Sequence, residues 1–161
     1  MKLIGRIRKT ISDFASAAIA SLGRSGDRAR MRGRFVVECR KANGELKWRE
    51  VVENRVVNEG LDEVLDKFWK GSAYTAAHYV GLTDGTPTVA AGDTMSSHAG
   101  WTEVTAYDEA VRQTLNMGTV SGQSVDNSAS KAVFTCSSDS TTVGGLFITT
   151  SNTKGGATGT L

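Results

Sequence analysis

The chain has 161 residues, with 19 Lys and Arg against 17 Asp and Glu. That length closes a hydrophobic core without staples, and the near balance of charge conceals two segments of opposite sign. Residues 1–34 hold nine Lys/Arg against only Asp13 and Asp27, a net +7, whereas residues 35–161 hold ten basic and fifteen acidic residues, a net −5. Cys39 and Cys136 lie far apart without CxxC or Cys/His spacing, which reads as two reduced thiols in a reducing compartment. No run of about twenty apolar residues encodes a membrane span. The start resembles a secretory signal, but Arg6, Arg8, Lys9 and Asp13 interrupt its apolar stretch.

In residues 3–22, Leu3, Ile4, Ile7, Ile11, Phe14, Ala18 and Leu22 recur at steps of three and four. That spacing predicts an amphipathic helix ended by Gly23. Arg24 to Arg34, "RSGDRARMRGR", has no apolar period and reads as an extended basic linker. Residues 1–34 therefore form a cationic attachment arm. Burial of Ile7, Ile11 and Phe14, with Arg28, Arg30 and Arg32 pairing to carboxylates, would bind a partner. The apolar stripe favours packing on protein over phosphate binding. Nucleic acid remains a possible ligand of the arm, and a membrane surface a less favoured one; packing of the helix on its own domain is the plainest alternative.

Residues 35–161 predict a β-rich module. "RFVVECRKANGELKWREVVE" sets Asn43-Gly44 between alternating runs, the chemistry of a type I′ hairpin over 35–53. Such a turn pairs Arg34 with Glu53, Phe35 with Val52, Glu38 with Arg49, Cys39 with Trp48 and Arg40 with Lys47. Apolar partners then share one face and opposite charges mostly meet on the other. Asn58 is placed to cap a helix over 59–70, with Leu61, Val64, Leu65 and Phe68 as its core stripe and Gly71 as its stop. "HYVGLTDG" predicts a short buried strand, and "VRQTLNMGTV", "KAVFTCS" and "VGGLFITTS" are further β-prone runs between Ser, Gly, Asn and Asp clusters. The expected fold is mainly β, a β-sandwich-like module with one packed α-helix. The final "TKGGATGTL" reads as leading into another strand, so that the tail pairs with a neighbouring molecule or the polypeptide continues.

No catalytic constellation emerges. His78 and His98 have no nucleophile-elbow motif beside them. Asp84, Asp93, Asp108 and Asp126 lack the alternation of a calcium loop and read as turn-stabilising residues. No glycine cluster has phosphate-loop spacing, and no paired carboxylates mark a glycosidase. Neither a cofactor, a metal nor an enzyme is expected.

"NRVVNEGLDEVLDKFWKG", "YVGLTDG", "DTMSSHAGWTE", "NSASKAVFT" and "VGGLFITTSNTKGGATGTL" together resemble a family of small bacteriophage virion structural proteins, over about residues 54–161. The string from Asp93 to Glu103 is the most specific part. The resemblance implies a non-enzymatic particle component: a capsid decoration or minor head protein, or alternatively a tail or head–tail connector protein. It also implies assembly as a homo-oligomer, contact with the major capsid or other virion proteins, and localisation in virions assembled in the host cytoplasm. The arm lies outside the match. Within the matched loop, Trp101 with Met95 and Tyr107 supplies apolar surface that reads as core packing more than as an intersubunit contact.

Overall fold

A computed structural model describes residues 33–74, 77–137 and 141–161. The chain is mainly β, with two antiparallel sheets and one short helix. It divides into two compact units at Arg55/Val56, whereas the change in composition falls at 34/35.

The first unit contains the hairpin of β1 (Arg34–Arg40) and β2 (Leu46–Glu53). Its register follows the charges and the apolar alternation: Arg34 opposes Glu53, Phe35 opposes Val52, Glu38 opposes Arg49 and Cys39 opposes Trp48. The strand begins at Arg34, so this last arginine of the basic stretch belongs to the ladder. The turn differs from the expected type I′. Gly44 N donates to Lys41 O at 2.8 Å, and Gly44 alone in the turn takes a positive φ, +86°. Asn43 keeps a negative φ, and its side chain instead accepts from Glu45 N at 3.0 Å. This is the three-residue connection with a left-handed glycine that ranks next among hairpin turns. The extra residue shifts the register between Cys39 and Arg40, so Arg40 opposes Leu46 rather than Lys47.

The second unit is built on β3 (Tyr79–Thr83). On one side it pairs with β6 (Gly145–Thr149); on the other it pairs end to end with β4 (Glu103–Val104) and β5 (Gln113–Thr114), all antiparallel. Side chains alternate across a strand, so the sheet has two distinct cores. Leu82, opposite Val104 and Leu146, packs on one face with Tyr107, Phe134 and Val143. Phe147, opposite Gly81, packs on the other with Met95, Trp101, Val89 and Leu161. Most of these partners come from loops, so irregular segments cover much of what a second sheet covers in a sandwich. "KAVFTCS" forms no strand among the described residues, though Asp108 N donates to Thr135 O at 2.8 Å.

The helix is shorter than its sequence pattern. α1 runs Asn58–Val64 and passes into a π-helical turn over Leu65–Trp69, closed by Lys70 N to Leu65 O at 3.0 Å. Val57, not Asn58, is the capping residue; Asn58 lies inside the helix and its N–H goes to Ala91 O at 2.8 Å. Gly71, at φ +77°, ends the helix as expected. The tail folds back within its own chain: Thr150 N donates to Thr160 O at 3.0 Å, and Leu161 N to Glu59 Oε2 at 2.7 Å. The tail thus pairs within its own chain.

Candidate functional site

Ile7, Ile11, Phe14, Arg28, Arg30 and Arg32 lie outside the described residues. The described residues comprise the hairpin and the second unit.

The loop from Asp93 to Trp101 is a closed structural device. Thr94 and Ser97 exchange backbone hydrogen bonds at 3.0 and 3.1 Å, which pinches the loop. Asp93 is buried, and its Oδ2 accepts from Ala90 N at 3.0 Å and from Trp101 Nε1 at 3.3 Å. His98 stacks on Trp101 with ring centroids 3.7 Å apart. Its Nδ1 lies 3.0 Å from Trp101 O; a carbonyl only accepts, so the proton sits on Nδ1. Ring contacts continue from Trp101 to Phe147 at 4.9 Å and from Phe147 to the Arg112 guanidinium at 5.1 Å. Trp101 is thus core packing, as its surroundings in the sequence suggested.

Arg112 is fully buried. Its guanidinium meets Glu103 side-on, with Nε to Oε1 at 2.9 Å and Nη2 to Oε2 at 2.8 Å. The remaining donors reach Ser151 O at 2.9 Å and Gly156 O at 2.7 Å, while Gly155 N donates to Glu103 Oε2 at 2.9 Å. Every charge in this cluster is matched by a partner, which is the condition for burying one. Nearby, Lys154 Nζ donates to the carbonyls of Tyr107 and Glu109 and lies 4.4 Å from the centre of the Tyr107 ring. The sequence reading missed this cluster, since one Arg between Val111 and Gln113 carries no spacing signal.

Of the loop aspartates, Asp126 and Asp93 act in local turns, as read from the sequence, whereas Asp84 and Asp108 tie together segments distant in the chain. Asp84 accepts from Thr102 N at 3.1 Å, Asp126 from Ser128 N at 2.8 Å and Asp108 from Ser137 Oγ at 2.7 Å. Among the described residues, no group of three His, Cys, Asp or Glu side chains could hold a metal ion. No described helix is long and apolar enough to cross a membrane.

The surface feature that stands out is the end of the helix. Leu65, Phe68 and Trp69 are 53, 75 and 74 % exposed, and Tyr74 is 60 % exposed. The stripe read as facing the core therefore leaves its C-terminal half in water. The π turn widens the helix and breaks the three-and-four spacing that would keep Phe68 in line with Leu61 and Val64. Phe68 and Trp69 instead meet edge to face, with centroids 5.4 Å apart. Adjacent aromatics cannot share one helical face, and that was the available signal. Asp66 sits among them and accepts from Lys67 Nζ at 2.9 Å, Lys70 Nζ at 3.0 Å and Ser72 Oγ at 2.9 Å. The hydrogen bond from Lys67, then those from Lys70 and Ser72, hold its carboxyl well below the usual carboxylate range.

The hairpin also leaves apolar side chains in water on both faces, Trp48 and Val52 on one and Val36 and Val51 on the other, each 42–47 % exposed. No protein-family model, curated protein or solved structure matches the chain.

Proposed function

We propose that this protein is a non-enzymatic structural component of a bacteriophage particle, a capsid decoration or minor head protein anchored by its cationic N-terminal arm. The observation that carries the reading is that both units leave apolar side chains in water, Trp48 with Val52 in one and Phe68 with Trp69 in the other. A two-stranded hairpin is marginal by itself, and exposed apolar patches of this kind mark association surfaces. The loop string from Asp93 to Glu103, whose resemblance suggested a virion protein, packs as a rigid core and suits a building block more than a mobile active-site loop. The sandwich-like packing of the β module and the helical arm, with Ile7, Ile11, Phe14, Arg28, Arg30 and Arg32 as its contacts, belong to this proposal. So do a capsid partner and a homo-oligomeric state.

Immunogold electron microscopy of purified particles, with an antibody raised against residues 60–161, tests it. Label over the head is expected. Label confined to the vertex or tail would move the protein to a connector or tail role, and particles without label would overturn the virion reading.

A further inference from the structure

We infer that one face of the hairpin is the docking surface for the chain's own N-terminal segment, residues 3–22, whose spacing predicts an amphipathic helix and which lies outside the described residues. The register defines that face. Phe35 opposes Val52, Val37 opposes Glu50 and Cys39 opposes Trp48, and directly opposed side chains lie side by side on one surface. The other face is charge-matched, with Arg34 opposite Glu53 and Glu38 opposite Arg49, the latter an ion pair at 3.6 Å. The first face thus joins Phe35, Val37, Cys39, Trp48 and Val52 into one apolar strip. Its three pairs contain a single charge, Glu50, whose opposite residue is Val37 and not a cation. Among the described residues no third strand joins this sheet. A two-stranded hairpin is marginal in water until further strands or a helix pack on it.

Three properties select residues 3–22 as the cover. Their length fits, since twenty helical residues extend about 30 Å and the seven residues of β1 about 23 Å. Their connection reaches, because the 11 residues from Gly23 to Gly33 span up to about 36 Å, enough to lay the helix back along the strands. So short a tether holds the segment at a local concentration in the millimolar range, above that of any separate chain. Their charge is complementary. At about 100° per residue, Arg6 and Arg8 flank the two sides of the stripe that runs from Ile4 through Ile11 to Leu22, where they meet Glu50. A second hairpin is a poorer cover, because a symmetric contact sets Glu50 against its own mate. The stripe cannot lie on the hairpin and on a capsid at once. Under the virion reading, on which this consequence alone rests, the arm is a latch that shields both apolar surfaces until docking on the particle releases them.

Cys39 lies on the docking face and supplies the probe. In the full chain carrying Cys136→Ser, the substitutions Ile7→Cys, Ile11→Cys and Phe14→Cys each place a thiol on the stripe. Lys9→Cys and Ser16→Cys place one on the opposite side of the helix. In oxidised glutathione at least one stripe variant is expected to close a disulfide to Cys39 within one chain, at least about tenfold faster than either control. Adding Glu50→Arg should slow that closure about threefold. Unchanged far-UV circular dichroism and thermal midpoint would show that the variants remain folded. No closure by any stripe thiol, equal closure by the controls, bridges formed only between chains, or a rate indifferent to Glu50→Arg would overturn the inference, and none of these would touch the labelling of particles.

Discussion

Arg112 and Glu103 face each other side-on at 2.8–2.9 Å, the arginine without any solvent exposure and the glutamate side chain 8 % exposed. Removing one partner of such a pair leaves the other charge buried, at a cost of about 3–5 kcal/mol. Arg112→Ala should therefore lower unfolding free energy in urea by that amount. Arg112→Lys should recover only part of it, because an ammonium cannot reproduce the planar fork to the carboxylate and both carbonyls.

Trp101 supports the opposite core face through Met95, Phe147 and the stacked His98. Trp101→Ala should cost about 3–5 kcal/mol by cavity formation. Asp93→Ala should cost about 1–3 kcal/mol, since it strips the acceptor from Ala90 N and Trp101 Nε1. Thermal unfolding followed by circular dichroism reads both losses.

Gly81 lies in β3 directly beneath the Phe147 ring, and a Cβ there would collide with ring carbons Cζ and Cε1. Gly81→Ala should destabilise the second unit by about 1–3 kcal/mol through overpacking. Combining it with Phe147→Leu should cost less than the two single changes together, because the clash and the ring are removed at once. A double-mutant cycle in denaturant measures the coupling.

Tyr107 is buried, and its hydroxyl has no hydrogen-bond partner among the described residues. Burial, and then the charge of Glu103, push its pKa up to about 12 from the ordinary 10.0. In the folded protein the phenol keeps its proton where the unfolded chain has lost it, so stability is full below pH 10.0 and falls as pH rises toward about 12. Tyr107→Phe should remove this loss and leave neutral stability unchanged or raised by up to about 1 kcal/mol. Unfolding midpoints across alkaline pH decide it.

The hairpin was legible because two independent codes agree in it: apolar alternation and cross-strand charge both align Glu38 with Arg49. The turn was less so, since Asn-Gly serves both the two-residue turn and the longer one with a bulge, and the backbone angle of Asn43 separates them. β3 was readable from the apolar run of "YVGLT", whereas β4 and β5 are two residues each and leave no period to detect. Arg112 was opaque for a different reason. Its partners lie 9, 39 and 44 residues away, so no local window contains the cluster that neutralises it. The helix shows the reverse failure: Phe68 obeys the core periodicity, and a π turn that no composition announces sends it outward. The residues expected to carry attachment lie in the arm, outside the described residues.

The Arg112 cluster also orders events during synthesis. Glu103 and Arg112 leave the ribosome together, but the carbonyls of Ser151 and Gly156 that complete the arginine's shell follow 39 and 44 residues later. Until they emerge, a chain that closed early would enclose a guanidinium with only its two donors to Glu103 satisfied, at the cost of burying the others unmet. Closing of the second unit is thereby favoured only once nearly all of it has been made, since its most buried charge is completed by its last residues.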